Sequence, residues 1–156
     1  MLMNFDRFGK MPGMVDIVRW SQRDEKYHCD FLIASFKQLL IEFPEINTKA
    51  LKDEVRSIGI KMVELEEHFV ELAFANGAPE GLVEEDMVQY VRYLGDLRLS
   101  QLGLKTHFGV KKNPLPWVDV IVNGKEHANF FERRSTEYSK GKVQGSMDEG
   151  DWDNIF

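Results

Sequence analysis

The sequence has one cysteine, Cys29, in 156 residues. No internal disulfide can form, and the composition suits a reducing, cytoplasmic setting. Cys29 reads as a small apolar packing residue, not a nucleophile. Long apolar runs are absent too. None approaches the roughly 20 residues of a membrane-spanning helix, so no membrane partner is expected. The first residues include Asn4, Asp6 and Arg7 and show no signal-peptide pattern. Positive charge is in deficit: 20 Lys and Arg against 26 Asp and Glu leave a formal charge of −6. With no basic run, general nucleic-acid binding is disfavoured. Internal repeats and heptads of coiled-coil length are also missing. What remains is one domain's worth of chain, 43% hydrophobic, enough to build a core.

The apolar periodicity is helical. A first long helix is expected from about Met11 to Phe43. Pro12 suits its first turn, and Pro44 stops it, because proline disfavours helical geometry in the residue before it. Asn47 or Thr48 can cap a second helix. There Leu51, Val55, Ile58, Met62, Leu65, Phe69 and Leu72 alternate steps of four and three, which predicts a core-facing stripe. Glu64, Glu67 and His68 fall opposite that stripe and read as a solvated face; Glu66 lies nearer to it. Asn76-Gly77 ends the helix. A third helix is expected from about Glu84 to Leu102, with Met87, Tyr90, Val91, Leu94 and Leu97 on its apolar side and Gly103 as a stop. Gly95 inside it costs helix stability but suits close approach of a neighbour. Asp96 and Arg98 read as surface or capping charges.

Two prolines argue against regular structure from Asn113 to Trp117, with Trp117 as an anchor. Val118 to Val122 fits a helical turn or an extended segment. His107 and His127 have no partner at ligand spacing, and Phe130 and Phe131 fasten the last ordered part. Residues 135–156 carry Gly141, Gly145 and Gly150 and lose all periodicity. Their acidic end interleaves Asp148, Glu149, Asp151 and Asp153 with Trp152, Ile155 and Phe156. Such a tail suits a peptide that orders on a partner's surface with its apolar residues as anchors. The expected division is therefore 1–134 for a helical domain and 135–156 for a docking tail.

The chemistry concentrates in Trp20 to Phe31. Glu25 and His28 are three residues apart, one helical turn, on one face. Val18, Ser21, Glu25, His28, Leu32, Phe36, Leu39 and Phe43 step by three or four, so both are expected on the core-facing stripe. A carboxylate there needs a partner or a metal. Inward-facing Glu-x-x-His is the repeating half of di-iron and di-manganese carboxylate bundles. By spacing alone, a Glu–His hydrogen bond at the edge of a helix interface serves equally well.

The surrounding residues add a family. Arg23-Asp24-Glu25-x-x-His28-Cys29-Asp30-Phe31 closely resembles the metal-binding helix of the small, radical-carrying subunit of class I ribonucleotide reductase. The resemblance continues in order through Val91 to Gly103, Asn113-Pro114-Leu115-Pro116-Trp117, Asn129 to Arg134 and Thr136 to Gly141, and includes Gly9 to Gly13 upstream. It implies an all-α, ferritin-like di-metal carboxylate bundle, present here as its C-terminal half. It also implies that Glu25 and His28 are ligands of a dinuclear iron or iron–manganese centre, and that Asp24 and Tyr138 carry radical transfer. Trp152, Ile155 and Phe156 would dock on the large catalytic subunit, and the small subunit would be a dimer. The implied activity is that of ribonucleoside-diphosphate reductase, which supplies deoxyribonucleotides for DNA synthesis.

The chain departs from that pattern in one respect. The di-metal unit uses two Glu-x-x-His helices and two further Glu, and only one Glu-x-x-His occurs here. The remaining ligands are therefore expected from an N-terminal half, as a partner chain or a missing segment. Two alternatives stay open at this point: a homodimeric di-metal protein, and a non-catalytic remnant that binds the large subunit.

Overall fold

The computed structural model describes residues 1–123; the expected boundary at 134 and the whole tail lie outside them. Five α-helices follow one another: α1 (Asn4–Arg7), α2 (Pro12–Glu42), α3 (Lys49–Phe74), α4 (Glu84–Gln101) and α5 (Pro116–Asn123). A single 3-10 turn, Pro44–Ile46, joins α2 to α3. No strand occurs among the described residues.

The helix ends follow local chemistry. Gly9 and Met11 take positive φ (61° and 50°), which turns the chain before Pro12 opens α2 with its φ already set. Phe43 donates its N–H to the Leu39 carbonyl, and Pro44 then ends the helix. Thr48 caps α3: its hydroxyl accepts the Leu51 N–H at 3.2 Å. Glu84, Glu85 and Asp86 place negative charge in the first turn of α4, at the positive end of its dipole. Pro116 opens α5, so regular structure begins inside the Asn113–Trp117 stretch expected to be irregular, and Val118 onward is helical. Proline is tolerated there because a helix's first N–H groups have no intrahelical partner.

The helices α3 and α4 form the principal packed pair. They approach closely at Gly95, where a Cβ would lie 2.5 Å from Val63 Cγ2. Glycine's missing side chain is what permits this spacing. Below it, Val70, Phe74, Leu82, Met87 and Leu115 form the buried cluster, with Val91, Trp117 and Val118 packed against it. The N-terminal segment is fastened to the loop after α3. Asn4 Nδ2 donates to the Glu80 carbonyl (2.7 Å), and Arg7 donates to Gly81 O (3.1 Å) and lies over the Trp117 ring. Trp117 thus anchors this corner, as expected. The helix α2 packs against α1, the 3-10 turn and α5.

Further expectations are corrected. Ile58, Met62, Leu65, Phe69 and Leu72, expected in the core, are all more than half exposed. Val63, Val70 and Phe74 are buried instead, because α3 carries apolar residues on two faces and α4 takes the second. On that same face Glu67, expected to be solvated, is only 20% exposed and accepts two hydrogen bonds from the Arg92 guanidinium of α4, at 2.7 and 3.3 Å. Asp96, expected as a surface or capping charge, is 5% exposed, which rules out the first of these. On α2, Leu32 and the Glu25–His28 face are exposed rather than buried among these residues.

Candidate metal-binding site

The turn of α2 holds Glu25 and His28 side by side. His28 Nδ1 stands 3.6 Å from Glu25 Oε2, and the two side chains are 70% and 73% exposed respectively. That distance exceeds a hydrogen bond. The alternative of a Glu–His hydrogen bond closing a helix interface is therefore not realised among the described residues. The two groups offer a carboxylate and an imidazole on one helical face, the donor types that hold iron or manganese. Asp24, one residue earlier, is also exposed and pairs only loosely with Arg23, at 4.0 Å. Among the described residues it makes no hydrogen bond to a histidine of the kind the family resemblance implies. Cys29 is half-buried.

No group of three or more His, Cys, Asp or Glu placed to hold a metal occurs among the described residues. Glu25 and His28 are thus two donors of the types such a metal takes, without a third beside them among the described residues. Around them α2 presents Tyr27 (65% exposed), Phe31 (70%) and Leu32 (65%) to solvent. Large apolar side chains clustered beside two metal-type donors mark a surface built to be covered. Tyr138, Trp152, Ile155 and Phe156 lie outside the described residues.

Two further charged arrangements exist. Asp96 Oδ1 accepts the backbone N–H groups of His107 (2.7 Å) and Phe108 (3.0 Å), and Oδ2 accepts that of Val110 (3.1 Å). Burial alone would raise its pKa. The backbone N–H bonds outweigh that and hold the carboxyl below its ordinary range. Arg56 of α3 grips the same loop through the carbonyls of Lys105 (2.9 Å) and Thr106 (3.2 Å). Asp96 therefore fixes the loop after α4. Its only sequence signal was its position three residues before Leu99 on the buried face. The second arrangement is an open cavity of about 410 Å³ between α3 and α4, lined by Glu67, Glu71, Glu84, Glu85, Val88 and Arg92. It is separate from the α2 residues.

The described residues are all helical, and one long helix carries a Glu-x-x-His, the unit that recurs in carboxylate-bundle proteins. Residues 1–114 match the family model for the ribonucleotide reductase small chain, and the chain belongs to that family. It is 38% identical over 146 residues, 93% of its length, to a protein of Invertebrate iridescent virus 3 described as a probable ribonucleoside-diphosphate reductase small subunit. It is 32% identical over 150 residues to the ribonucleoside-diphosphate reductase subunit beta of Halalkalibacterium halodurans. The fold superposes on the ribonucleotide reductase R2 subunit from Clostridium botulinum with a TM-score of 0.71 at 31% identity. That match covers 76% of this chain and 37% of that one. The all-α, ferritin-like fold expected from the sequence is thus confirmed. The chain spans 39% of the viral relative and 43% of the bacterial one, which agrees with its being one part of the small chain.

Proposed function

We propose that this chain is the C-terminal part of a ribonucleoside-diphosphate reductase small subunit, and that Glu25 and His28 are its share of a dinuclear iron or iron–manganese site. The observation that carries this reading is their placement side by side on α2, inside the stretch that matches the family. The exposed apolar residues beside them support it, since the other ligands must come from segments packed over this face.

The two ligands have distinct tasks. Glu25 would contribute a negatively charged carboxylate to such a centre. His28 would contribute an imidazole nitrogen. When bound, the metal centre supplies the oxidising chemistry with dioxygen that starts ribonucleotide reduction. Asp24 is a carboxylate adjoining Glu25 in sequence; in the assembled subunit it orients a ligand histidine and holds a proton during radical transfer. Tyr138 takes the next position on that route. Trp152, Ile155 and Phe156 anchor the tail on the large catalytic subunit. The partners are the rest of the small subunit, a second small subunit and the large subunit, and the setting is the cytoplasm.

The test is reconstitution with the rest of a small subunit and with a large subunit. Reduction of a ribonucleoside diphosphate that requires this chain, and is lost with Glu25→Ala, supports the reading. Full activity without this chain, or with Glu25→Ala, overturns it.

A further inference from the structure

The stripe Leu51, Val55, Ile58, Met62, Leu65, Phe69 and Leu72 of α3 steps 4, 3, 4, 3, 4, 3. That is the a/d repeat of a helix-to-helix seam, three heptads long. Its last five residues are all more than half exposed. In the same frame Lys52 and Glu66 flank the seam on the side where Gly59 meets Leu99 of α4, and Glu54, Lys61 and His68 flank it on the other. The charges of α3 divide into two groups. Lys49 pairs with Asp53 (2.8 Å), Lys61 with Glu64 (3.2 Å), His68 with Glu71 (3.1 Å) and Glu67 with Arg92. The side chains of Lys52, Glu54 and Glu66 have no partner among the described residues, and all three flank the seam.

We propose that in the free chain this seam is covered by a second copy of the chain, with the two α3 helices antiparallel, so that two α3–α4 hairpins close into a four-helix bundle. The sequence sets the register. With Ile58 opposite Met62 of the second copy, Val55 meets its Leu65 and Leu51 meets its Phe69, so every apolar layer is matched. Lys52 then stands opposite Glu66 of the second copy, and Glu54 opposite its His68. The charges left unpaired within one chain thus find opposite or polar partners across the seam. Lys61 alone meets its own kind, and Glu64 already neutralises it. A parallel pair in register would leave Lys52 and Glu54 without such partners, and charges beside a seam decide its orientation. Antiparallel helices also set the positive end of each dipole beside the negative end of the other. The pairing withdraws an apolar stripe from water and takes nothing from α2, whose neighbours are α1, the 3-10 turn and α5. It is a holding form of the free chain, separate from the small-subunit dimer that the family resemblance implies, and it stands whether or not Glu25 and His28 bind metal.

The experiment is sedimentation equilibrium of the purified full chain over a range of concentrations, at low salt and with a chelator present. A monomer–dimer equilibrium is expected. Met62→Glu is expected to raise the dissociation constant at least about tenfold, because it seats a charge in an apolar seam. Lys52→Glu and Glu66→Lys are each expected to raise it roughly threefold or more, because each sets like charges opposite one another. Combined in one chain, the two reversals restore the opposite pairs and are expected to return the constant to within about twofold of wild type. Circular dichroism of every variant is expected to match wild type, since none of these three side chains is buried in the free chain. Glu25→Ala is expected to leave the dimer unchanged. A chain that stays monomeric at every concentration overturns the proposal. So does a dimer that Met62→Glu leaves intact, which places the interface on another face, or a dimer that Glu25→Ala dissolves. A double reversal no better than the single ones overturns the antiparallel register.

Discussion

Asp96, near the end of α4, accepts the backbone N–H of His107 at 2.7 Å, and the same carboxylate collects those of Phe108 and Val110. One buried side chain thus determines the path of the loop that follows the helix.

Asp96→Asn is expected to lower unfolding stability by about 1–3 kcal/mol, since the amide is a weaker acceptor and presents donors where donors already converge. The pH dependence follows from the sign of the shift. The folded carboxyl titrates below its ordinary value. Its stabilisation is therefore complete above the unfolded pKa of about 4 and is lost as pH falls below that. Urea unfolding at pH 7 and in the acid range checks both points. The Asn variant is expected to lose less stability than wild type on acidification.

Gly95→Ala is expected to destabilise by about 1–3 kcal/mol through overpacking. Its Cβ would lie 2.5 Å from Val63 Cγ2, and both helices are held in place by the core beneath. Val63→Ala, destabilising alone, is expected to recover part of the loss when combined with Gly95→Ala. A double-mutant cycle by thermal unfolding measures the coupling.

Of these two sites, one was legible in the sequence and the other was not. The limits of α2 and α3 were legible because Pro12, Pro44, Thr48 and Asn76-Gly77 act locally. The close approach at Gly95 was legible from a glycine that costs helix stability without an evident return. The choice of buried face on α3 was not legible, because Leu65 and Val70 both belong to regular apolar rows and only the position of α4 decides between them. Nor was the role of Asp96, whose partners are backbone groups without a sequence signature. Glu67 misled for a related reason: its burial depends on Arg92, 25 residues away. The Glu25–His28 juxtaposition was legible, since three residues on a helix fix it. Their exposure was not, because burial depends on segments packed over α2.

In the reconstituted enzyme, Asp24→Asn is expected to keep the metal and lose turnover by roughly 10–100-fold, as outer carboxylates do when altered. Glu25→Ala and His28→Ala are expected to lose the metal itself. Metal analysis beside turnover separates the two. Metal loss in Asp24→Asn equal to that in Glu25→Ala would contradict the assigned roles.

The tail is expected to divide its work. Deleting residues 150–156 removes Trp152, Ile155 and Phe156, each worth roughly 1.5–3 kcal/mol if fully buried. It is expected to abolish binding to the large subunit while sparing the metal. Tyr138→Phe is expected to do the opposite, since it keeps the ring and removes the O–H a tyrosyl radical requires. Affinity and turnover of both variants check this.

The central claim, that α2 supplies one half of a dinuclear site, is tested most directly by metal stoichiometry. Iron and manganese are to be counted in the purified chain alone and in its complex with the rest of a small subunit. The account predicts no stable dinuclear centre in the isolated chain and two metal ions per small subunit in the complex, lost with Glu25→Ala. Two metal ions held by the isolated chain, or a full complement retained by Glu25→Ala, would contradict it.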